Sequence, residues 1–176
     1  MTYKKLIAAG KTHLEKYPGQ DPAPDPATLF SAGARWMSDR LNQLDGNHTP
    51  AFNPHINYTL YGSLKYGICL LGCGLSGWWL SKYSMLLTPL SILVFFLLEV
   101  NFLFLFPLLI DNSATPVRGS IRAVFKIGIL KCVFTVIPIA LFMVVGLFRK
   151  RETVRNWYIG CLAILIWYND EVRNRI

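Results

Sequence analysis

Glu99 is the residue whose placement most demands a chemical account. It lies fourteen residues from Met85 and eleven from Ile110, inside one apolar run. An ionised group near the centre of a bilayer costs about 2.5–3.5 kcal/mol on insertion scales, so this side chain is expected to face protein or water rather than lipid. Thr88, Ser91 and Glu99 recur at 3–4 spacing with Phe95, Phe102 and Phe106, which gives one mildly polar helix face. Asn101 projects nearly opposite and needs its own partner. Lys131, seven residues past Val124 in the next apolar run, is the expected partner of Glu99. In antiparallel neighbouring helices the two would lie about 16 Å and about 10 Å from their shared side, an offset a lysine side chain reaches across. Such a pair has two readings: a proton or ion relay within a polar pocket, or an ion pair that fixes helix register.

Cys69, Cys73 and Gly77 recur every four residues, flanked by Gly72 and Ser76. Small residues so spaced let two helix backbones approach closely. A metal reading of Cys69-x-x-x-Cys73 has no histidine or further thiol nearby, and no metal or cofactor is expected. All four cysteines, including Cys132 and Cys161, sit in apolar segments, where cysteine behaves as a small hydrophobe. Asp111, with Arg118 and Arg122 close behind it, reads either as a contact for a phosphorylated lipid headgroup or as a loop turn with interfacial anchors. His13, His48 and His55 match no metal-site spacing. The sequence holds no phosphate-binding loop, nucleophile elbow, zinc-protease helix or dinucleotide fingerprint.

The elements that must position these residues are separated by composition. Residues 1–57 are polar and proline-rich, whereas residues 58–176 are largely apolar and carry seven of the eight net positive charges. That charge suits anionic headgroups; no aromatic-basic platform accompanies it, so nucleic acid is not expected as a partner. Only 16% of the chain is charged, well below the roughly 25% of soluble domains. A hydrocarbon core of about 30 Å needs about 20 helical residues, and unpaired peptide groups are not left in lipid. Residues 61–80, 85–110 and 124–148 are each long enough. A fourth apolar segment, within residues 156–170, is short but bracketed by Trp157-Tyr158 and Trp167-Tyr168, like aromatic belts at two interfaces. Spanning and surface-lying placements both stay open for it.

Before the membrane part, residues 18–26 alternate proline and read as a stiff connector. Asp25-Pro26 then resembles a helix cap with proline at the first helical position. An amphipathic helix is expected over residues 26–45, with Trp36 and Phe30 dipped into the membrane interface or packed on a partner. The basic cluster Arg149, Lys150, Arg151 and Arg155 argues for a cytoplasmic loop, nearly balanced by Arg118, Arg122 and Lys126 at the other end of the third span.

The expected fold is therefore all-α: a polytopic helical membrane bundle of three long transmembrane helices, a short fourth apolar segment and an amino-terminal amphipathic helix. The expected role is a non-catalytic accessory or scaffold subunit, in contact with membrane lipids and with another membrane protein or a second copy of itself. A small transporter or channel using Glu99 and Lys131 is the alternative, and a lipid-processing enzyme using Glu99, Asp111 and the loop arginines is the third.

Overall fold

A computed structural model describes residues 2–17, 29–46, 50–148 and 153–173. The alternating prolines, the expected Asp25-Pro26 cap, His48 and the run Arg149-Lys150-Arg151 lie outside the described residues. Of the described residues 84% are helical, and among them there is no strand.

Among the described residues eight α-helices follow one another: α1 (Tyr3–Lys16), α2 (Leu29–Leu44), α3 (Tyr58–Ser81), α4 (Ser91–Asn101), α5 (Leu105–Ile110), α6 (Pro116–Ile127), α7 (Ile129–Leu147) and α8 (Thr153–Trp167). A 3-10 segment, Met85–Leu90, leads into α4, and a π-helical turn, Tyr168–Val172, extends α8. Local chemistry sets several of these boundaries. The Asn57 side chain accepts the Leu60 amide at 2.9 Å and caps α3, satisfying a donor the helix itself leaves unpaired. Pro116 opens α6 at its first turn, where a missing N–H costs nothing. Gly46, at φ 61°, ends the turn after α2.

The apolar run 85–110 is not one straight α-helix. It breaks at Phe102–Phe104, between α4 and α5. The cause lies four residues on: Pro107 has no amide to give the carbonyl of Leu103, and its ring crowds that carbonyl. The backbone groups so released are not left bare. Ser120 Oγ on α6 accepts the Phe104 amide at 3.2 Å and donates to the Asn101 carbonyl at 2.8 Å.

The single helix expected over residues 124–148 is likewise corrected. Gly128, at φ 103°, occupies backbone space that side-chain-bearing residues rarely enter, and it separates α6 from α7. Of the expected three long spans, two helical stretches among the described residues are long and apolar enough to cross a membrane, Met85–Ile110 and Ile129–Gly146. α3 has 24 residues, but Lys65 and five glycines interrupt its apolar character.

The short fourth segment forms the centre of the bundle. Ile159, Leu162, Ala163, Leu165 and Trp167 on α8 are buried, with α7 on one side and α1 and α2 on others. Contact with α1 is at backbone distance: a Cβ placed on Gly10 would stand 2.8 Å from the Ile159 carbonyl oxygen and 3.3 Å from the Ala163 nitrogen. α2 buries its apolar side in the same bundle rather than leaving it free. Trp36 stacks at a tilt on Tyr158 of α8, ring centroids 4.8 Å apart, while Ala34 and Leu41 are fully enclosed.

The outward surface is divided. α1 exposes Lys4, Lys5, Lys11 and Lys16. α3, the 3-10 segment, α4 and α7 expose Leu71, Trp78, Leu86, Leu93, Phe134 and Val145, among other large apolar side chains. In the most apolar 18-residue stretches of Met85–Ile110 and Ile129–Gly146, only 44% and 33% is buried inside the protein.

Candidate functional site

Glu99 meets Lys65, not Lys131. The Nζ of Lys65 on α3 lies 3.4 Å from Oε1 of Glu99 on α4, and the two side chains are only 10% and 20% exposed. Lys131, the expected partner, instead holds Glu171 just beyond α8, with Nζ 2.7 Å from Oε2. The physical reason is topological. Lys65 stands on the inward stripe of α3, and α3 is the helix packed along α4, whereas the start of α7 lies beside the π-helical turn.

That inward stripe is built from the small residues singled out by spacing. Cys69 and Gly77 are buried. A Cβ on Gly72 would fall 2.3 Å from the Cδ1 of Leu98, and one on Gly77 would fall 3.3 Å from Ser91 Oγ. Cys73 Sγ donates to Ser91 Oγ at 3.6 Å, and Ser76 Oγ donates back to its own helix, to the carbonyl of Gly72 at 2.7 Å. The occupant of this face is the chain's own α4 and its 3-10 lead-in, so these residues bring Lys65 and Glu99 within reach of each other. All four cysteines are free thiols.

Aromatic rings enclose the lysine side of the pair. The Lys65 ammonium lies 5.0 Å from the centroid of the Tyr66 ring. Tyr66 stacks on Phe30 of α2 at 6.0 Å, and Phe30 on Phe106 of α5 at 6.1 Å. Phe30 sits where a larger residue at 62 would collide: a Cβ on Gly62 would lie 2.4 Å from its Cδ1. The amino-terminal region thus reaches the buried ion pair through one stacked column. Within a low-dielectric seam, each charge stabilises the other and the ring face adds attraction for the ammonium.

Asn101 takes a local solution. Its Nδ2 donates to the Leu97 carbonyl at 2.7 Å, and its own carbonyl accepts from Ser120. Asp111 is engaged inside the protein. The Tyr168 hydroxyl donates to Oδ2 at 2.6 Å, and Arg173 Nη2 to Oδ1 at 2.8 Å. Arg173 also reaches Asp45 at 2.8 Å, so one guanidinium ties the ends of α2, α5 and α8 together. Beside it, burial would raise Glu171, but several hydrogen bonds, the strongest from the Lys131 ammonium, together with the charge of that ammonium outweigh burial and hold the carboxyl at about 2. Arg118 and Arg122 face outward from α6. Glu99, Asp111 and these arginines are therefore not brought to one place.

Sequence reasoning missed Lys65 as the partner, although the signal was present: counting back from Gly77, Cys73 and Cys69 in steps of four reaches Lys65. It also missed Ser120, Tyr168 and Arg173, whose roles depend on contacts between distant segments. Compared with known proteins, the chain matches no family model, no curated protein and no solved structure.

Proposed function

We propose that this chain is a multi-pass integral membrane protein that works as a non-catalytic accessory or scaffold subunit. In this reading the face formed by α3, α4 and α7 sits in hydrocarbon, and the lysine-bearing α1 side meets water or a partner protein. One observation carries the proposal: the large apolar side chains of α3, the 3-10 segment, α4 and α7 point outward, while Lys65 of α3 and Glu99 of α4 turn inward and pair, and Lys131, half exposed near the start of α7, is held by Glu171. Soluble monomers rarely expose contiguous apolar surface beyond a few hundred square ångströms, and polar groups in membrane helices face the protein interior and pair there.

The carboxyl end of α3 supports the same placement. Trp78, Trp79 and Tyr83 are exposed there, and the Lys82 ammonium lies 3.8 Å from the centroid of the Trp78 ring. Tryptophan, tyrosine and a lysine that extends toward water mark a membrane boundary. Lys65 and Glu99 are bound to each other and enclosed, which suits a clamp between helices better than acid–base work on a substrate, where a group must reach the proton it moves.

The test has two steps. Membranes from cells expressing the full chain are washed with alkaline carbonate, and the protein is expected in the pellet. It is then released in mild detergent and weighed by native mass spectrometry. A mass above the 20.0 kDa of one chain, from a second copy or a co-purifying membrane protein, is the expected result. Recovery in the carbonate supernatant overturns the membrane placement; a strictly single-chain species overturns the subunit role.

A further inference from the structure

The exposed residues of α6 and the start of α7 change character in order along the chain. Arg118 and Arg122 are exposed first, then Phe125 at 64% and Lys126, then Leu130 at 69% and Phe134 at 71%. Positions 118, 122 and 126 follow a four-residue step within α6, which on one helix keeps residues near one side; Leu130 and Phe134 lie past the Gly128 break, on the first turns of α7. α6 contains no acidic residue. Its opposite side, Gly119, Ser120, Ala123 and Val124, is buried, and Ser120 fixes it to the break between α4 and α5. The basic face of α6 is thus held rigidly outward, at the point where the exposed surface turns from charged to apolar.

We infer that this face of α6 is a docking surface for the headgroups of anionic phospholipids, with Arg118 and Arg122 on the phosphates and Phe125 in the acyl boundary. The inference rests on the membrane placement proposed above. It commits to lipid over a protein partner because the change of character along the surface matches a bilayer leaflet: cationic at headgroup level with Arg118 and Arg122, aromatic at the boundary with Phe125, and apolar beyond it with Leu130 and Phe134. Arginine suits the phosphate oxygens because its planar fork donates two parallel hydrogen bonds. Basic residues near an anionic leaflet each add to binding, and amphipathic helices with basic polar faces and an aromatic anchor lie at that boundary.

The experiment uses the full chain reconstituted in vesicles of phosphatidylcholine and phosphatidylglycerol in equal amounts. Flotation first establishes incorporation. The protein is then released in neutral detergent, and retained lipid is identified by native mass spectrometry. The wild type is expected to retain phosphatidylglycerol preferentially. Arg118→Gln with Arg122→Gln is expected to lower that preference by about thirtyfold, whereas Lys4→Gln with Lys5→Gln on α1 leaves it unchanged. Soluble glycerol phosphate should not displace the lipid. Equal retention by wild type and the α6 variant overturns the inference while leaving the membrane placement intact; so does loss of preference in the α1 variant, or displacement by glycerol phosphate. Failure of the wild type to float overturns the membrane placement and the docking surface together. Matching thermal melts of the variants exclude misfolding as the cause of a loss.

Discussion

Lys65 and Glu99 face each other across the α3–α4 seam at 3.4 Å, two opposite charges from segments 34 positions apart held where little solvent reaches. A buried pair of this kind is weak evidence of net stability, because desolvation offsets attraction, yet removing one partner strands the other charge.

Glu99→Leu or Lys65→Met alone is therefore expected to destabilise the protein by about 3 kcal/mol, and the two together to return close to wild type. Unfolding in detergent micelles measures all three variants. Strictly additive losses would show that the two residues do not act as a pair.

Ser120 is the support for the break in the 85–110 run. Ser120→Ala leaves the Phe104 amide and the Asn101 carbonyl without their shared partner, at an expected cost of about 1–3 kcal/mol. Hydrogen exchange should show the Phe104 amide losing protection while amides in the middle of α7 keep theirs. Unchanged protection at Phe104 would mean that another group bonds it.

Gly10 sets the distance between α1 and α8. Gly10→Ala places its methyl against backbone atoms of Ile159 and Ala163, which cannot rotate away, and should cost about 1–3 kcal/mol. Tryptic cleavage after Lys11 should accelerate. Gly33→Ala is the matched control: nothing lies within 4 Å of its added carbon, so it should be neutral or stabilise α2 by up to about 1 kcal/mol. Equal behaviour of the two variants would remove the close approach as the explanation.

Docking of α1 should also respond to pH through His13. Burial, and then the nearby Arg40 guanidinium, hold the imidazole below its ordinary 6.5 despite a hydrogen bond with Gln43. The undocked helix therefore takes up a proton more readily than the docked one. Docking is complete above about pH 6.5 and weakens as pH falls from there toward the lowered value. Hydrogen exchange across α1 at pH 7.5 and 5.5, roughly one unit to either side of 6.5, should show smaller protection factors at the lower pH once the intrinsic slowing of amide exchange by acid is divided out. His13→Leu should flatten the difference, and an equal pH response in that variant would assign it elsewhere.

Part of this arrangement was written in local pattern. The four-step series from Cys69 to Gly77 predicts a close helix contact, and those residues lie against α4 and its lead-in. The runs 85–110 and 124–148 each read as one helix, and the breaks tied to Pro107 and Gly128 and the Asn57 cap emerge only from the structure. What those patterns could not give was the identity of the opposing surface. Trp36 and Phe30 looked ready for a membrane interface or a foreign protein, because nothing in residues 1–57 offered them a core. The core was supplied by α8, α3 and α5, more than twenty positions away.

By itself, the sequence determined an all-helical chain whose apolar content is concentrated after residue 57, since hydrophobic runs, helix breakers and charge placement act over a few turns. Only the tertiary structure decided that Glu99 pairs with Lys65, that Asp111 is held by Tyr168 and Arg173, and that the short segment α8 lies at the centre. Those outcomes depend on which helices become neighbours. A charge buried in an apolar seam takes the opposite charge that packing brings within a few ångströms, and distance along the chain has no say in that choice.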